Sequence, residues 1–274
     1  MNLWIITVNF GNTRATNSLI ESLSFVENFN SIRVGIADNH SSNESYAKLK
    51  KIIKNSKLKV KVFPNKKNLY YWPAVKKVIN NLKNEIGNYP DWIIVCNNDI
   101  TFSNNNFFSE LEKIDIKEYP IIGPNIINSK GKKLNPFMLN PLSKLEKIYW
   151  NLYFSSYPLS FAMSSIKKML SFLIKTHHSK NLTNIKNVYA VHGSAILFSN
   201  YFFNKGGWLD SNFEMYAEEL TVAEIAKKLN LPVTYYPKLE IIHHEHSTMI
   251  TMNKRKIYYK QKESHKYFQS SYLK

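Results

Sequence analysis

Trp92-Ile93-Ile94-Val95-Cys96-Asn97-Asn98-Asp99 carries the decisive signal in this sequence. Five apolar residues with no polar alternation read as a strand buried on both faces, the pattern of a parallel sheet covered by helices. The run ends abruptly in three polar residues. Outward from it, the first half alternates strand and helix signals. Leu3–Val8 and Ile32–Ala37 are short β-branched runs, and Lys59–Phe63 alternates before Pro64. Between them lie helical periodicities over about 13–29, with Leu19, Leu23 and Val26, and over a stretch capped by Ser42 or Asn43. Pro73 suits a helix first turn, followed by Val75, Val78, Ile79 and Leu82 at helical spacing. Such alternation predicts βαβ units in an α/β fold with an open, mostly parallel central sheet flanked by helices.

Open parallel sheets bind ligands outside the carboxyl ends of their strands. Three strand ends carry suitable polar groups: Thr7 and Asn9, Asp38 and Asn39, and Asn97-Asn98-Asp99. A carboxylate at such a place can hold a divalent metal that neutralises a diphosphate. Asn and Asp are also common turn residues, so the triplet alone does not decide. Asp38 can meet a ribose hydroxyl or a base edge, or its neighbourhood can simply cap the next helix. The first turn, Asn9-Phe10-Gly11-Asn12, has one glycine and no GxGxxG, which argues against a nicotinamide dehydrogenase.

The second half is less regular. Residues 135–187 mix aromatics with lysines and show no strand pattern, so they read as a helical insert. Such an insert can lie on a membrane, frame an acceptor cleft or pack on the core, and packing is the preferred reading. Val188–Phe198 reads as one strand interrupted by Gly193, where backbone can approach a ligand. A helix is expected over about 216–230, then strands at Val233–Tyr236 and Leu239–His243. The basic, aromatic tail from Asn253 reads as a helix. Glu218-Glu219 opens the 216–230 helix, where the dipole favours acids; a carboxylate there can also serve as a general base. His243-His244-Glu245-His246 suggests a metal ligand, without the spacing of a zinc peptidase. On an extended strand His244 and His246 would share one face and His243 the other.

Bulk properties narrow the class. The 274 residues are 44% hydrophobic and 14% aromatic, enough to bury a core and too apolar for a disordered chain. A net charge of +17 attracts polyanions: nucleic acid, anionic lipid or phosphorylated substrates. One cysteine, Cys96, excludes an intrachain disulfide and reads as a small buried hydrophobe. The N-terminus reads as a strand rather than a signal peptide, and no apolar run approaches the ~18 residues of a membrane span. The expectation is a cytoplasmic protein, with peripheral contact at the inner face of an anionic membrane left open.

Taken in order, these segments resemble the inverting glycosyltransferase family 2 with the GT-A fold, in a branch similar to rhamnosyltransferases of bacterial surface polysaccharides. The resembling segments are Ile5–Phe10, Ile36–Ser42, Asn65–Lys76, Val95–Asp99, Val191–Ala195, Trp208–Glu219 and Ile241–His243. With no internal repeat and no low-complexity linker, the chain reads as a single domain over 1–274, with a nucleotide-binding half (1–125) and an acceptor-side half (126–252). The latter holds the insert at about 135–187, and a basic C-terminal helix covers 253–274. The resemblance implies Mn²⁺ or Mg²⁺ on Asp99 and His243, and a catalytic base at Glu219 or Glu218. Thr7, Asn9, Asp38, Asn39, Asn68, Asn97, Asn98, Gly193 and Ser194 would surround a nucleotide-sugar donor. The acceptor would be a hydroxyl of a glycan or lipid-linked glycan, and no nucleic acid is expected. Departures are Tyr70 or Tyr71 where the family usually has Gly, Asn97 for the first Asp of Asp-x-Asp, Glu219 for Asp, and Thr221 for a further acid. They keep a degenerate sugar-nucleotide-binding protein open as an alternative, and the charge keeps a nucleic-acid-binding protein open.

Overall fold

The computed structural model describes residues 1–23, 31–103, 106–173, 182–245 and 253–273. The chain opens with β1 (Leu3–Asn9), α1 (Thr13–Ser22), β2 (Ile32–Asp38), α2 (Asn43–Asn55), β3 (Lys59–Pro64), α3 (Trp72–Ile86) and β4 (Trp92–Cys96). β3, β2, β1 and β4 lie side by side in that order, all parallel. Period-two alternation divides each strand between two cores. Leu3, Ile5, Trp92, Ile94 and Cys96 face one layer with Leu19 and Leu49. Trp4, Ile6, Ile93 and Val95 face the other with Val75, Val78 and Ile79. The approach of α3 is close: a Cβ on Gly35 of β2 would lie 2.6 Å from Val78 Cγ1. Ser42 caps α2 by accepting from Ser45 N–H, and Gly87, with φ +91°, ends α3.

Then come β5 (Ile100–Thr101), α4 (Asn106–Leu111), β6 (Ile121–Asn128), α5 (Lys144–Tyr153), α6 (Tyr157–Leu173), β7 (Lys186–Val188), β8 (Ala195–Ser199), α7 (Asn200–Asn204), α8 (Glu218–Lys228), β9 (Val233–His243) and α9 (Lys254–Tyr272). Here the sheet becomes mixed. β8 pairs antiparallel to both β4 and β6, while β6 runs parallel to β9.

Several expectations change in this half. Val188–Phe198 is two strands, β7 on β9 and β8 on β4, because the chain crosses the sheet between them. The turn so formed carries His192, Gly193 and Ser194. Conversely, Val233–His243 is one strand. Pro237 does not break it, because the register with β6 shifts between Pro124 and Asn125, leaving the proline outside the ladder. β5 and β6 have no counterpart in the sequence reading. Within the 135–187 stretch, residues 144–153 and 157–173 form α5 and α6; α5 buries none of its residues, so the expected packing of the stretch on the core is not met there. The continuation of α1 to Phe29, and His246, lie outside the described residues.

Candidate active site

The ends of β1, β2 and β4 converge as expected. Asp38 is buried and accepts hydrogen bonds from Asn9 Nδ2 (2.8 Å) and Ser41 Oγ (2.6 Å). Asn9 Oδ1 in turn accepts from Thr16 Oγ1 at 2.9 Å. Asn39 binds the next loop: its Nδ2 donates to Tyr70 O (2.7 Å), and its Oδ1 accepts from Asn65 Nδ2 (2.9 Å). Asn68 Oδ1 accepts from Tyr70 N–H (2.8 Å), which supports the left-handed turn at Tyr70, φ +61°. These side chains form an ordered rim at the sheet's carboxyl edge. Thr7 sits two residues inside β1 and is fully buried, so it supports the rim from beneath. Asn98 turns toward α1, with Nδ2 donating to Thr16 Oγ1 (3.0 Å) and Asn12 O (3.3 Å).

The long strand β9 brings His243 across the sheet to Asp99. Ile100 pairs with His243 in the β5–β9 ladder, and the His244 N–H donates to Asp99 O. The result is 3.1 Å between Asp99 Oδ1 and His243 Nε2, with both side chains buried. Two neighbouring ligands of an octahedral ion with bonds of about 2.1 Å lie about 3.0 Å apart, so the spacing fits. Asn97 Nδ2 is 3.4 Å from the same nitrogen; with its amide turned over, Oδ1 would offer a third donor. No group of three His, Cys, Asp or Glu that could hold a metal exists among the described residues. Such a sparse donor set suits Mg²⁺ or Mn²⁺, whose remaining positions go to phosphates and water. His244 instead meets Thr101 Oγ1 at 2.8 Å.

The β7–β8 turn closes the other side. Gly193 N–H donates to Glu219 Oε1 at 2.9 Å, and the Asn97 N–H donates to Ser194 O at 2.9 Å. Glu218 is buried; burial, then the charge of Glu219, pushes its pKa up to about 8. Burial also raises that of Glu219, against the hydrogen bonds from its own N–H and Gly193 N–H. Both groups sit at the start of α8, as read from the sequence.

Two residues emerge that sequence reasoning left unassigned. Tyr71 donates from its hydroxyl to Gly193 O at 3.4 Å. Burial, and then the charges of Cys96, Glu218, Asp99 and Glu219, hold its pKa well above the ordinary tyrosine range. Its signal was the aromatic pair standing at a family glycine. His192 is the other: Ser194 N–H donates to its Nδ1 at 3.1 Å, placing the proton of the neutral ring on Nε2. Burial, and the neighbouring His243, lower its pKa to about 4. Cys96 is buried; burial and then Asp99 push its thiol pKa up, consistent with an inert core residue.

The loop before α8 is clamped from outside. Asp210 accepts from Tyr267 (2.7 Å) and Tyr272 (2.5 Å) of α9, and Lys260 pairs with Glu214 while lying 5.4 Å over the Tyr70 ring.

Three solved structures share the architecture at low sequence identity. A mannosyltransferase from Pyrobaculum calidifontis, in complex with GDP-Man and Mn²⁺, superposes with a TM-score of 0.54 at 7% identity, over 88% of this chain and 56% of that one. TarS residues 1–349 from S. aureus gives 0.57 at 11% identity, over 89% and 60%. GalNAc-T7 with UDP, GalNAc and Mn²⁺ gives 0.55 at 14%, over 89% and 44%. The chain thus spans less than two thirds of the length of each. No curated protein sequence matches it. The architecture is the GT-A fold of these glycosyltransferases. The family model for glycosyl transferase family 2 matches residues 13–178, more than half of the sequence and including Asp38, Asn39, Asn68 and Asp99. The chain therefore belongs to glycosyl transferase family 2.

Proposed function

We propose that this glycosyltransferase moves a sugar from a nucleoside-diphosphate sugar to a hydroxyl of a glycan or lipid-linked glycan, by a single displacement with inversion. The observation that carries the reading is the β7–β8 turn that joins the two sides: Ser194 O accepts from Asn97 N–H, two residues before Asp99, while Gly193 N–H donates to Glu219 Oε1. The polar rim of Asn9, Asp38, Asn39 and Asn68 offers hydrogen-bonding edges for the nucleoside. Gly193, lacking a side chain, lets the Glu219 carboxylate lie directly against the β7–β8 turn. A bacterial surface polysaccharide is the pathway setting that the family resemblance suggests.

Asp99 and His243 would hold Mg²⁺ or Mn²⁺ against the donor diphosphate. When bound there, the ion supplies positive charge that neutralises the departing diphosphate. Glu219 has Oε1 engaged by Gly193 N–H, which leaves Oε2 to take the acceptor's proton. Its raised pKa strengthens it as a base near neutral pH. The acceptor oxygen bonds to the anomeric carbon as the carbon–phosphate oxygen bond breaks; the proton goes to Glu219 and the electron pair to the diphosphate. One in-line attack inverts the centre. His192, whose Nδ1 accepts from Ser194 N–H, keeps its proton on Nε2 and adds a neutral donor on a ring 6.4 Å from that of His243.

The test is a panel of nucleotide sugars with and without Mn²⁺, read by thermal shift and by nucleoside-diphosphate release. One donor should raise Tm in a metal-dependent way and turn over, and Glu219→Gln should keep the shift and lose turnover. Binding without turnover in the unmodified protein would select a degenerate sugar-nucleotide binder instead.

A further inference from the structure

The insert has a surface that the transfer reaction does not use. α5 buries none of its residues. Leu145, Ile148 and Leu152, spaced i, i+3 and i+7, form one stripe and are 79%, 55% and 52% exposed. On α6, Phe161 and Ile166 are 68% and 54% exposed. The aromatic side of the insert is already engaged. Trp150 and Tyr153 pack with Phe154, while Tyr153, Phe154 and Tyr157 meet Tyr258 of α9. Lys262 Nζ caps the α5–α6 turn through Ser155 O at 2.7 Å. The three helices are thus a packed unit whose outward apolar side chains face solvent.

Charge shows what that surface suits. Lys144 borders the α5 stripe, and Lys254, Arg255 and Lys256 are exposed where α9 begins; the Arg255 guanidinium lies 5.9 Å from the Tyr157 ring. Between residues 144 and 173 the sequence has a single acid, Glu146, which accepts from Ser143 N–H and Oγ. We propose that α5, α6 and the first turns of α9 form a docking surface for an anionic lipid bilayer. Aliphatic and aromatic side chains flanked by lysine and arginine have the composition of an interfacial helix, with apolar groups entering the acyl boundary and cations at the headgroups. A second copy of the chain is disfavoured by the repulsion between two bodies of net charge +17. A nucleic acid would use the cations and leave the leucine stripe in water. The proposal does not rest on the transfer reaction.

The experiment is co-sedimentation of the protein with vesicles of phosphatidylcholine mixed with phosphatidylglycerol, and with vesicles of phosphatidylcholine alone. Binding to the anionic vesicles is expected, weakened by salt that shortens the Debye length from about 10 to about 3 Å. L145E/I148E should lower that binding by about tenfold or more while keeping the helical circular dichroism, since both side chains are exposed. Leu145→Trp should keep or strengthen it. No anionic-vesicle binding, or equal binding by L145E/I148E, would overturn the proposal. So would light scattering that shows a dimer dispersed by the same substitutions, because the stripe would then be covered by a second copy.

Discussion

The Glu219 carboxylate is held by the backbone of Gly193: Oε1 accepts the Gly193 N–H at 2.9 Å, and a Cβ on Gly193 would stand 2.7 Å from the same oxygen. A residue of the β7–β8 turn therefore sets where the proposed base sits. Gly193→Ala should push the carboxylate aside while the fold persists, because the obstructing atom ends a flexible side chain. A displacement of this size costs about 10²-fold in turnover. Steady-state kinetics beside a melting curve checks this, and a variant with unchanged turnover would remove Glu219 from its role.

The Glu218 carboxyl has its pKa raised by burial to about 8. A raised acid binds its proton more tightly folded than unfolded. Its contribution is therefore fully present below the ordinary value of 4.5 and is lost as pH rises toward 8. Glu218→Gln removes that loss. Melting temperatures across this window should fall with pH more steeply in the unmodified protein than in the variant. Turnover should rise with pH as Glu219, also raised, loses its proton.

Asp99→Asn removes the carboxylate charge from the pair with His243 while keeping its size. The Mn²⁺-dependent stabilisation by a nucleotide sugar should weaken by more than the roughly 10–100-fold expected of outer-shell changes. His243→Ala should do the same, whereas His244→Ala, whose ring meets Thr101, should have a smaller effect. Titration of Mn²⁺ by thermal shift at fixed donor distinguishes the three. An Asp99→Asn protein that keeps its metal response would disprove the assignment.

Asn39→Ala deletes the bonds to Tyr70 O and Asn65 Nδ2 at a buried position. Leaving those groups unsatisfied should cost about 2 kcal/mol or more in urea unfolding. The Tyr70 turn should loosen with it, so donor affinity should fall in parallel. Equal donor affinity in the variant would show that the rim does not shape the pocket.

Much of the first half was legible in the sequence because its information is local. The run Trp92–Cys96 appears as a strand with unchanged bounds, since five apolar residues rich in β-branched side chains between polar ends are too few for a buried helix. Asp38, Asn39 and Asp99 could be placed at the carboxyl edge because parallel βαβ units leave that edge for ligands. The second half resisted. Gly193 reads as an interruption within one strand, and Val233–Tyr236 and Leu239–His243 read as two strands with Pro237 between them. The tertiary pairings made the first a crossover between two strands and the second a bulge within one.

Order along the chain was enough to name Asp99, Glu219 and His243 as candidates and to expect an α/β sheet around them. Their assembly was decided only in three dimensions. Asp99 and His243 meet because β5 and β9, distant in sequence, pair antiparallel. Glu219 is aimed by a backbone N–H at position 193, and the same turn is tied to the end of β4 through the Asn97 N–H bond to Ser194 O. Periodicity reports which face of an element is buried. It carries no record of which distant element supplies the partner, and that partner sets the charge, burial and distance of every group in the site.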